Sequence, residues 1–232
     1  MKHKIAAKNL FVPKNSYEQF AQQLYNLLVE NFSQTFFVGG MVRNLLWHKK
    51  IADIDITTSA TPPKLIKLLT KANYQLDLSA QRYGVISVLH NKNSIQITTF
   101  RSEHYQKDRY PKIVFTKSLA KDAQRRDFTI NSLYFHAETN TIIDPTDGLT
   151  DIRLKRLRAV GDPVKKFQED PLRIVRAYRF QKQFNLQIEA RMQQALTNSR
   201  LLMKKLSKTK MNSEINKANA VRVQNYLHKI FS

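Results

Sequence analysis

Two aspartates, Asp53 and Asp55, are the first groups in the chain whose types and spacing could do chemistry. They alternate with Ile54 and Ile56, the two-residue period of a strand, so both carboxylates share one face about 7 Å apart at Cα. Such a pair converges on a hard cation such as Mg²⁺, which takes oxygen ligands and completes its shell with water and substrate phosphates. An Asp-x-Asp alone is more often the solvated side of a half-buried strand. Its neighbours reverse that reading. Thr35-Phe36-Phe37-Val38 is an apolar run ending at Gly39-Gly40, and a helix-like stretch follows from Met41 to Trp47. Glycines between a buried strand and a helix let backbone N–H groups close on a phosphate, where the helix start favours an anion. Arg43 adds a guanidinium a turn later. The layout could hold a nucleoside triphosphate against two metals, which would activate an attacking hydroxyl and neutralise the leaving pyrophosphate.

Two further segments set charge beside apolar residues. Arg125-Arg126-Asp127-Phe128-Thr129-Ile130-Asn131-Ser132 runs on into Leu133-Tyr134-Phe135, so it dives into a core where charges need partners. In Glu169-Asp170-Pro171-Leu172-Arg173, Asp170 and Pro171 suit a helix start. Arg173, Arg176 and Arg179 then recur every three residues and stay on one broad helix face.

The elements that must position these groups follow from periodicity. A helix is expected from Ser16, capped by Ser16 with Gln19, with Tyr17, Phe20, Ala21, Leu24, Leu27 and Leu28 as its apolar stripe. Thr61-Pro62-Pro63 starts another, through about Leu69. Strands are expected at Val85–His90 and Ser94–Phe100, parted by a turn at Asn91-Lys92-Asn93. Residues 101–120 read as a mobile charged loop with a short strand at Ile113–Phe115. From Asp170 the pattern is helical to the end, with breaks near Asn185 and Ser199. The chain therefore divides into an α/β part, residues 1–148, and an all-helical part, residues 149–232.

Composition bounds the partners. The chain has 232 residues, 39 Lys and Arg against 18 Asp and Glu, and a formal charge of +21. A chain of this length buries about 70 % of the surface its unfolded state exposes, so it needs no metal or disulfide staple. An apolar content of 42 % excludes disorder throughout. The absence of Cys excludes thiolate enzymes, zinc ribbons, iron–sulfur sites and disulfides, and fits a reducing compartment. Self-repulsion on this scale points to a polyanion, nucleic acid before an anionic membrane surface; Lys-rich solvated faces are the plainer alternative. No apolar run reaches the roughly 18–20 residues that span a bilayer, and MKHKIAAKNLFVPKNS lacks the apolar core of a secretory signal. The expected location is the cytoplasm.

The stretch VGGMVRNLLWHKKIADIDITTSATP resembles the first motif of the class II tRNA nucleotidyltransferase and poly(A) polymerase family, within the nucleotidyltransferase superfamily of DNA polymerase β. Arg125–Ser132 resembles that family's R-R-D-F-T-x-N-A motif, and Glu169–Phe180 its E-D-x-x-R-x-x-R-A-x-R-F motif. Asp144-Pro145-Thr146-Asp147-Gly148 resembles its hinge, and Leu206–Glu214 weakly resembles its last motif, with Glu214 as the acid. The resemblance covers roughly residues 34–217.

It implies a DNA polymerase β-like mixed sheet in an α/β catalytic head, followed by an all-helical neck. It implies that Asp53 and Asp55 hold two Mg²⁺ ions, and that Gly39, Gly40, Arg43 and Arg126 meet the nucleotide. Asp127 and Asn131 are implied to hold the ribose, and Asp170 with Arg173 to act as a protein template for the base. Arg173 can donate to N1 of adenine or to N3 and O2 of cytosine while Asp170 accepts from the exocyclic amine; uracil and guanine would set a carbonyl against the carboxylate. Arg176 and Arg179 are implied to hold triphosphate or primer phosphates. Asn44 stands where the family has Asp, and Gln96 where some members carry a third carboxylate, which implies weaker metal binding.

The activity implied is template-independent addition of C and A from CTP and ATP to a tRNA 3′ end. A poly(A) polymerase, a partial CC- or A-adding enzyme and a catalytically weakened RNA-binding protein are the alternatives. Family members usually continue into helical body and tail domains that grip tRNA, and nothing in this sequence can serve as those. The chain is then a naturally minimal form, a piece of a longer protein, or one completed by a homo-oligomer or a second subunit. The cations from Arg200 to Lys229, which face only Glu214 as an acid, are the candidates for a substitute grip.

Overall fold

The computed structural model describes residues 3–7, 10–105, 111–218 and 220–231. Parts of the basic N-terminal stretch and the centre of the expected 101–120 loop, residues 106–110, lie outside the described residues.

In chain order the first half runs β1 (His3–Ala6), α1 (Ser16–Asn31), β2 (Thr35–Val38), α2 (Gly40–Leu46), β3 (Asp55–Thr58), α3 (Pro62–Lys71), β4 (Leu76–Asp77), β5 (Val85–His90) and β6 (Asn93–Thr99). A separate hairpin of β7 (Arg101–His104) and β8 (Lys112–Phe115) and the helix α4 (Leu119–Gln124) precede β9 (Tyr134–His136) and β10 (Thr141–Asp144). Among the described residues eight strands make one mixed sheet in the order β1-β10-β9-β2-β3-β6-β5-β4, with β3 and β6 its parallel neighbours.

The sheet is apolar on both faces near its centre. Phe37 of β2 joins the main core with Leu24, Tyr25 and Leu28 of α1 and with Ile56, Ile86 and Ile97. Its ring stacks on Tyr25 at 4.6 Å. Phe36 and Val38 point the other way, into a smaller cluster with Phe100, Tyr134 and Leu119 and Ala123 of α4. This explains why β2 is an unbroken apolar run rather than an alternating one. Each such side chain contributes about 1.5–3 kcal/mol by burial, which fixes the strand carrying the Gly-Gly turn and the one carrying Asp55.

Beyond β10 come α5 (Gly148–Arg153), β11 (Arg156–Leu157), α6 (Pro163–Glu169), α7 (Leu172–Phe184), β12 (Gln187–Ile188), α8 (Ala190–Asn198), α9 (Lys208–Ile215) and α10 (Val221–Phe231). α7 lies between two cores. Ile174, Ala177 and Phe180 face the main one, while Val175 and Tyr178 face a second with Leu206, Ile215 and Leu227. Gly148 packs so closely on the 129 backbone that a Cβ there would lie 2.2 Å from the Thr129 carbonyl oxygen.

Four local expectations differ. The first helix is capped by Asn15, not Ser16: the Asn15 side chain accepts from the Glu18 N–H, and Glu18 Oε2 accepts from the Lys14 N–H. β3 begins at Asp55, so Asp53 stands just before the strand. β7 was expected as loop, because its four residues carry charge rather than apolar alternation. β11 and β12 form a two-residue parallel pairing inside the stretch expected to be wholly helical, too short to show a period.

Candidate active site

A cleft of about 760 Å³ lies between the ends of β2 and β3 and the start of α7. All twelve residues singled out from the sequence line it: Gly39, Gly40, Arg43, Asp53, Asp55, Arg126, Asp127, Asn131, Asp170, Arg173, Arg176 and Arg179.

At the sheet end, β2 turns into α2 through Gly39, whose φ of +74° is a conformation that side chains rarely adopt. A Cβ there would sit 3.8 Å from both Asp55 Oδ2 and Arg126 Nη1, so the turn brings the backbone close to both groups. Asp55 pairs with Val38 on one side and with Gln96 on the other. Neither the Asp53 nor the Asp55 carboxylate has a hydrogen bond or ion pair among the described residues. Burial lifts the Asp55 carboxyl to about 6; Arg126 opposes the rise and Asp53 adds to it. The donor set fits Mg²⁺. It offers two hard oxygen ligands, no third carboxylate or imidazole joins them among the described residues, and Mg²⁺ ordinarily takes one or two carboxylates and leaves the rest to phosphates and water.

Arg126 is held from behind. Its Nε donates to the Tyr134 hydroxyl at 3.0 Å and its Nη2 to Asp122 Oδ2 at 3.1 Å. Arg125 donates to Asp122 Oδ1 at 2.8 Å. Asp122 is fully buried; burial alone would raise its carboxyl, but Arg125, Arg126 and the Tyr134 hydroxyl hold it near 2. Asp127 behaves alike. Burial opposes its charge, and Arg176, the Phe128 N–H and the Asn131 amide hold it near 2. Its Oδ2 accepts from Arg176 Nε at 2.8 Å and Nη2 at 2.6 Å, tying the segment to α7.

Arg43 lies inside rather than on the rim. Its Nη1 donates to Asn131 Oδ1, and its Nε and Nη2 donate to Asn44 Oδ1 at 3.3 and 3.0 Å. Its guanidinium stands 4.5 Å over the Phe184 ring and 5.1 Å over that of Phe180. Burial, reinforced by Arg179, lowers it to about 9.

On α7, the Asp170 side chain accepts from the Leu172 N–H at 3.1 Å and so shapes the helix start. Arg173 Nη1 donates to Glu169 Oε2 at 2.8 Å and to the Lys166 carbonyl, and its Nη2 donates to the Arg125 carbonyl at 3.2 Å. Among the described residues, its Nε–H and one N–H on Nη2 make no hydrogen bond. Arg179 bonds Glu214 at 2.8 Å, beneath the cleft.

Several lining residues escaped sequence reasoning. Arg101, Glu103 and Tyr105 come from the hairpin that reads as loop, and behind the lining Asp122 is an isolated buried acid in a short helix. Glu103 accepts from Arg101 at 2.9 Å and from the Tyr105 hydroxyl at 2.9 Å. Their i, i+2, i+4 spacing was the available signal, a strand face of charge and hydroxyl.

The poly(A) polymerase head-domain profile matches residues 35–158. The chain belongs to that family. It is 42 % identical over 174 residues to the CCA-adding enzyme of Pediococcus pentosaceus, covering 74 % of this chain and 43 % of that protein. It is 40 % identical over 183 residues to that of Lactobacillus helveticus, covering 78 % and 45 %. The crystal structure of the Bacillus stearothermophilus CCA-adding enzyme in complex with CTP superposes with a TM-score of 0.77 at 30 % identity, covering 88 % of this chain and 49 % of that one. The chain spans about half the length, or less, of the curated relatives it matches. Within this poly(A) polymerase head-domain chain, Asn44 accepts the Arg43 hydrogen bonds without a charge, and Gln96 puts an exposed amide beside Asp55. Among the described residues, no helix is long and apolar enough to cross a membrane.

Proposed function

We propose that this chain carries the catalytic part of a template-independent RNA nucleotidyltransferase that adds C and A from CTP and ATP to the tRNA 3′ end. The observation that carries the reading is convergence: the Asp53–Asp55 pair, the Gly39–Gly40 turn and the Asp170–Arg173 helix start line one cleft. The names of the curated relatives support it.

In this reading the RNA 3′-hydroxyl attacks the α-phosphate and pyrophosphate leaves. Asp53 and Asp55 would hold two Mg²⁺ ions, which would lower the hydroxyl's pKa and neutralise charge on the leaving group. Arg126, locked by Asp122 and Tyr134, aims Nη1 beside Gly39, where a phosphate oxygen would meet it and the turn's N–H groups. Asp127 and Asn131, fixed by Arg176 and Arg43, offer their remaining lone pairs to the ribose. The two spare N–H groups of Arg173 and the Asp170 carboxylate read the base edge, and Arg176 and Arg179 add positive charge toward the triphosphate. A base with the wrong pattern leaves buried polar groups unpaired, which rejects it.

The test is incorporation with tRNAs ending before the CCA, after CC and after CCA, offered each nucleoside triphosphate singly and CTP with ATP. Addition that stops at CCA supports the reading. Unlimited A addition would instead assign a poly(A) polymerase, and no incorporation at all would remove the enzymatic reading. Arg173→Ala and Asp170→Ala should relax base choice before abolishing incorporation; continued exclusion of UTP and GTP in both variants would end the template proposal.

A further inference from the structure

A second cleft, of about 490 Å³, opens across α7 from the first. Successive helical residues turn by about 100°, so Tyr178 points nearly opposite Arg176, on the flank it shares with Val175 and Lys182. The cleft is lined by Tyr178, Arg200, Met203, Tyr226, Lys229 and Ile230. Phe231 meets the Tyr178 ring edge-on at 5.7 Å, and Lys182 Nζ stands 4.2 Å from the centre of the Tyr226 ring. Arg200 and Lys229 are exposed and form no ion pair among the described residues. Among the described residues no acid lines the cleft. From Ala190 onward the sequence holds a single acid, Glu214, and that carboxylate is buried against Arg179 and Lys217.

We infer that this cleft binds an internal nucleotide of an RNA strand, its base packed against the Tyr178 and Tyr226 rings and its flanking phosphates held by Arg200, Lys229 and Lys182. Aromatic rings beside unpaired cations are what single-stranded nucleic acid requires: any base stacks, and each phosphate meets a charge. An apolar partner would bury those cations without compensation. The volume suits one nucleotide rather than a helix. Because the cleft lies across α7 from Asp53 and Asp55, the residue it holds is not the reacting 3′ end. The inference goes beyond the reaction proposed above and does not depend on it.

The experiment is anisotropy of fluorescein-labelled tRNA with the full chain over a salt series. The variants are Tyr226→Ala, Tyr226→Phe, the pair Arg200→Ala with Lys229→Ala, and a control pair on α3, Lys64→Ala with Lys67→Ala. Thermal melting checks each fold, and CTP affinity is measured in parallel. Tyr226→Ala should weaken tRNA binding by roughly 5- to 150-fold, with Tyr226→Phe close to the parent and CTP affinity unchanged. The Arg200/Lys229 pair should lower the slope of log affinity on log salt by about 1.4–1.8, and the α3 pair should not. Parent-like tRNA binding by Tyr226→Ala would overturn the inference, as would an equal loss of slope in the α3 pair. Tyr226-dependent binding to phosphatidylserine vesicles without Tyr226-dependent tRNA binding would assign the cleft to a membrane and overturn it as well. Normal tRNA binding with no incorporation would sink the reaction reading while leaving this cleft standing.

Discussion

The two ends of the main cleft meet their charges in opposite ways. At the sheet end, Asp53 and Asp55 stand close together with no hydrogen bond or ion pair among the described residues, and burial makes Asp55 reluctant to ionise. At the α7 end, Arg173, Arg176 and Arg179 are tied to Glu169, Asp127 and Glu214 at 2.6–2.8 Å. One end is left for a ligand to complete; the other is already assembled. The fold therefore gives up stability at the Asp53–Asp55 end and recovers it at the α7 end, whose geometry is already held by its ion pairs.

The sharpest break of this contrast is at the open end. Asp53→Ala or Asp55→Ala should cut single-turnover CTP incorporation roughly 10³-fold or more, since several kcal/mol of charge stabilisation goes with the metals. Retention within about tenfold of the parent would show that the carboxylates do not hold them.

At the assembled end the loss should be structural. Asp127→Ala strands Arg176, whose side chain is 30 % exposed, and frees Asn131, so the denaturant midpoint should fall by an amount equivalent to about 2–3 kcal/mol. The pairing also sets acid behaviour. Asp122 and Asp127 sit near 2 against about 3.9 when unfolded. Their contribution is complete above about pH 4 and drains as pH falls toward 2, so Asp127→Asn should flatten that part of the stability profile.

Asp55→Asn should act with the opposite sign. A carboxyl raised to about 6 weakens the fold as pH climbs from about 4 through 6, so removing its charge should stabilise the metal-free protein at pH 7 by about 1–2 kcal/mol while abolishing activity. A lower melting temperature for Asp55→Asn in chelator would contradict the contrast. The smallest effect is expected from Gln96→Glu. A third carboxylate beside Asp55 should reduce the Mg²⁺ needed for half-maximal incorporation by roughly 3- to 10-fold.

Much of the candidate site was legible because its parts are local. Asp-x-Asp, Gly-Gly and the arginine stripe each lie within a few residues, so spacing alone placed them on a strand end, a turn and a helix face. Their company was not legible. Asp122 carries no local mark, and Glu214 stands out only as the acid of a weakly matching segment; both matter because three-dimensional packing sets them under Arg126 and Arg179. Arg43 shows the limit from the other side: its place in the motif suggested a phosphate, but Phe180 and Phe184, far along the chain, enclose it. In the fold, long apolar runs such as β2 and periodic stripes such as α1 were readable. The hairpin of β7 was not, because its ion pairs replace the apolar alternation that marks a strand.

The outermost strand has a kinetic consequence. Among the described residues β1 pairs with no strand but β10, with His3 opposite Asp144. About 140 residues must be synthesised before that partner exists, which at roughly 5–20 residues per second is about 7–28 s. Until then β10's neighbours cannot close the sheet's edge, and Ile5, exposed even in the finished protein, has nothing to align with. Within the eight-stranded sheet, the pairing of highest sequence separation thus waits for the last strand, β10, which makes the sheet a late-closing structure rather than one that zips up as it emerges.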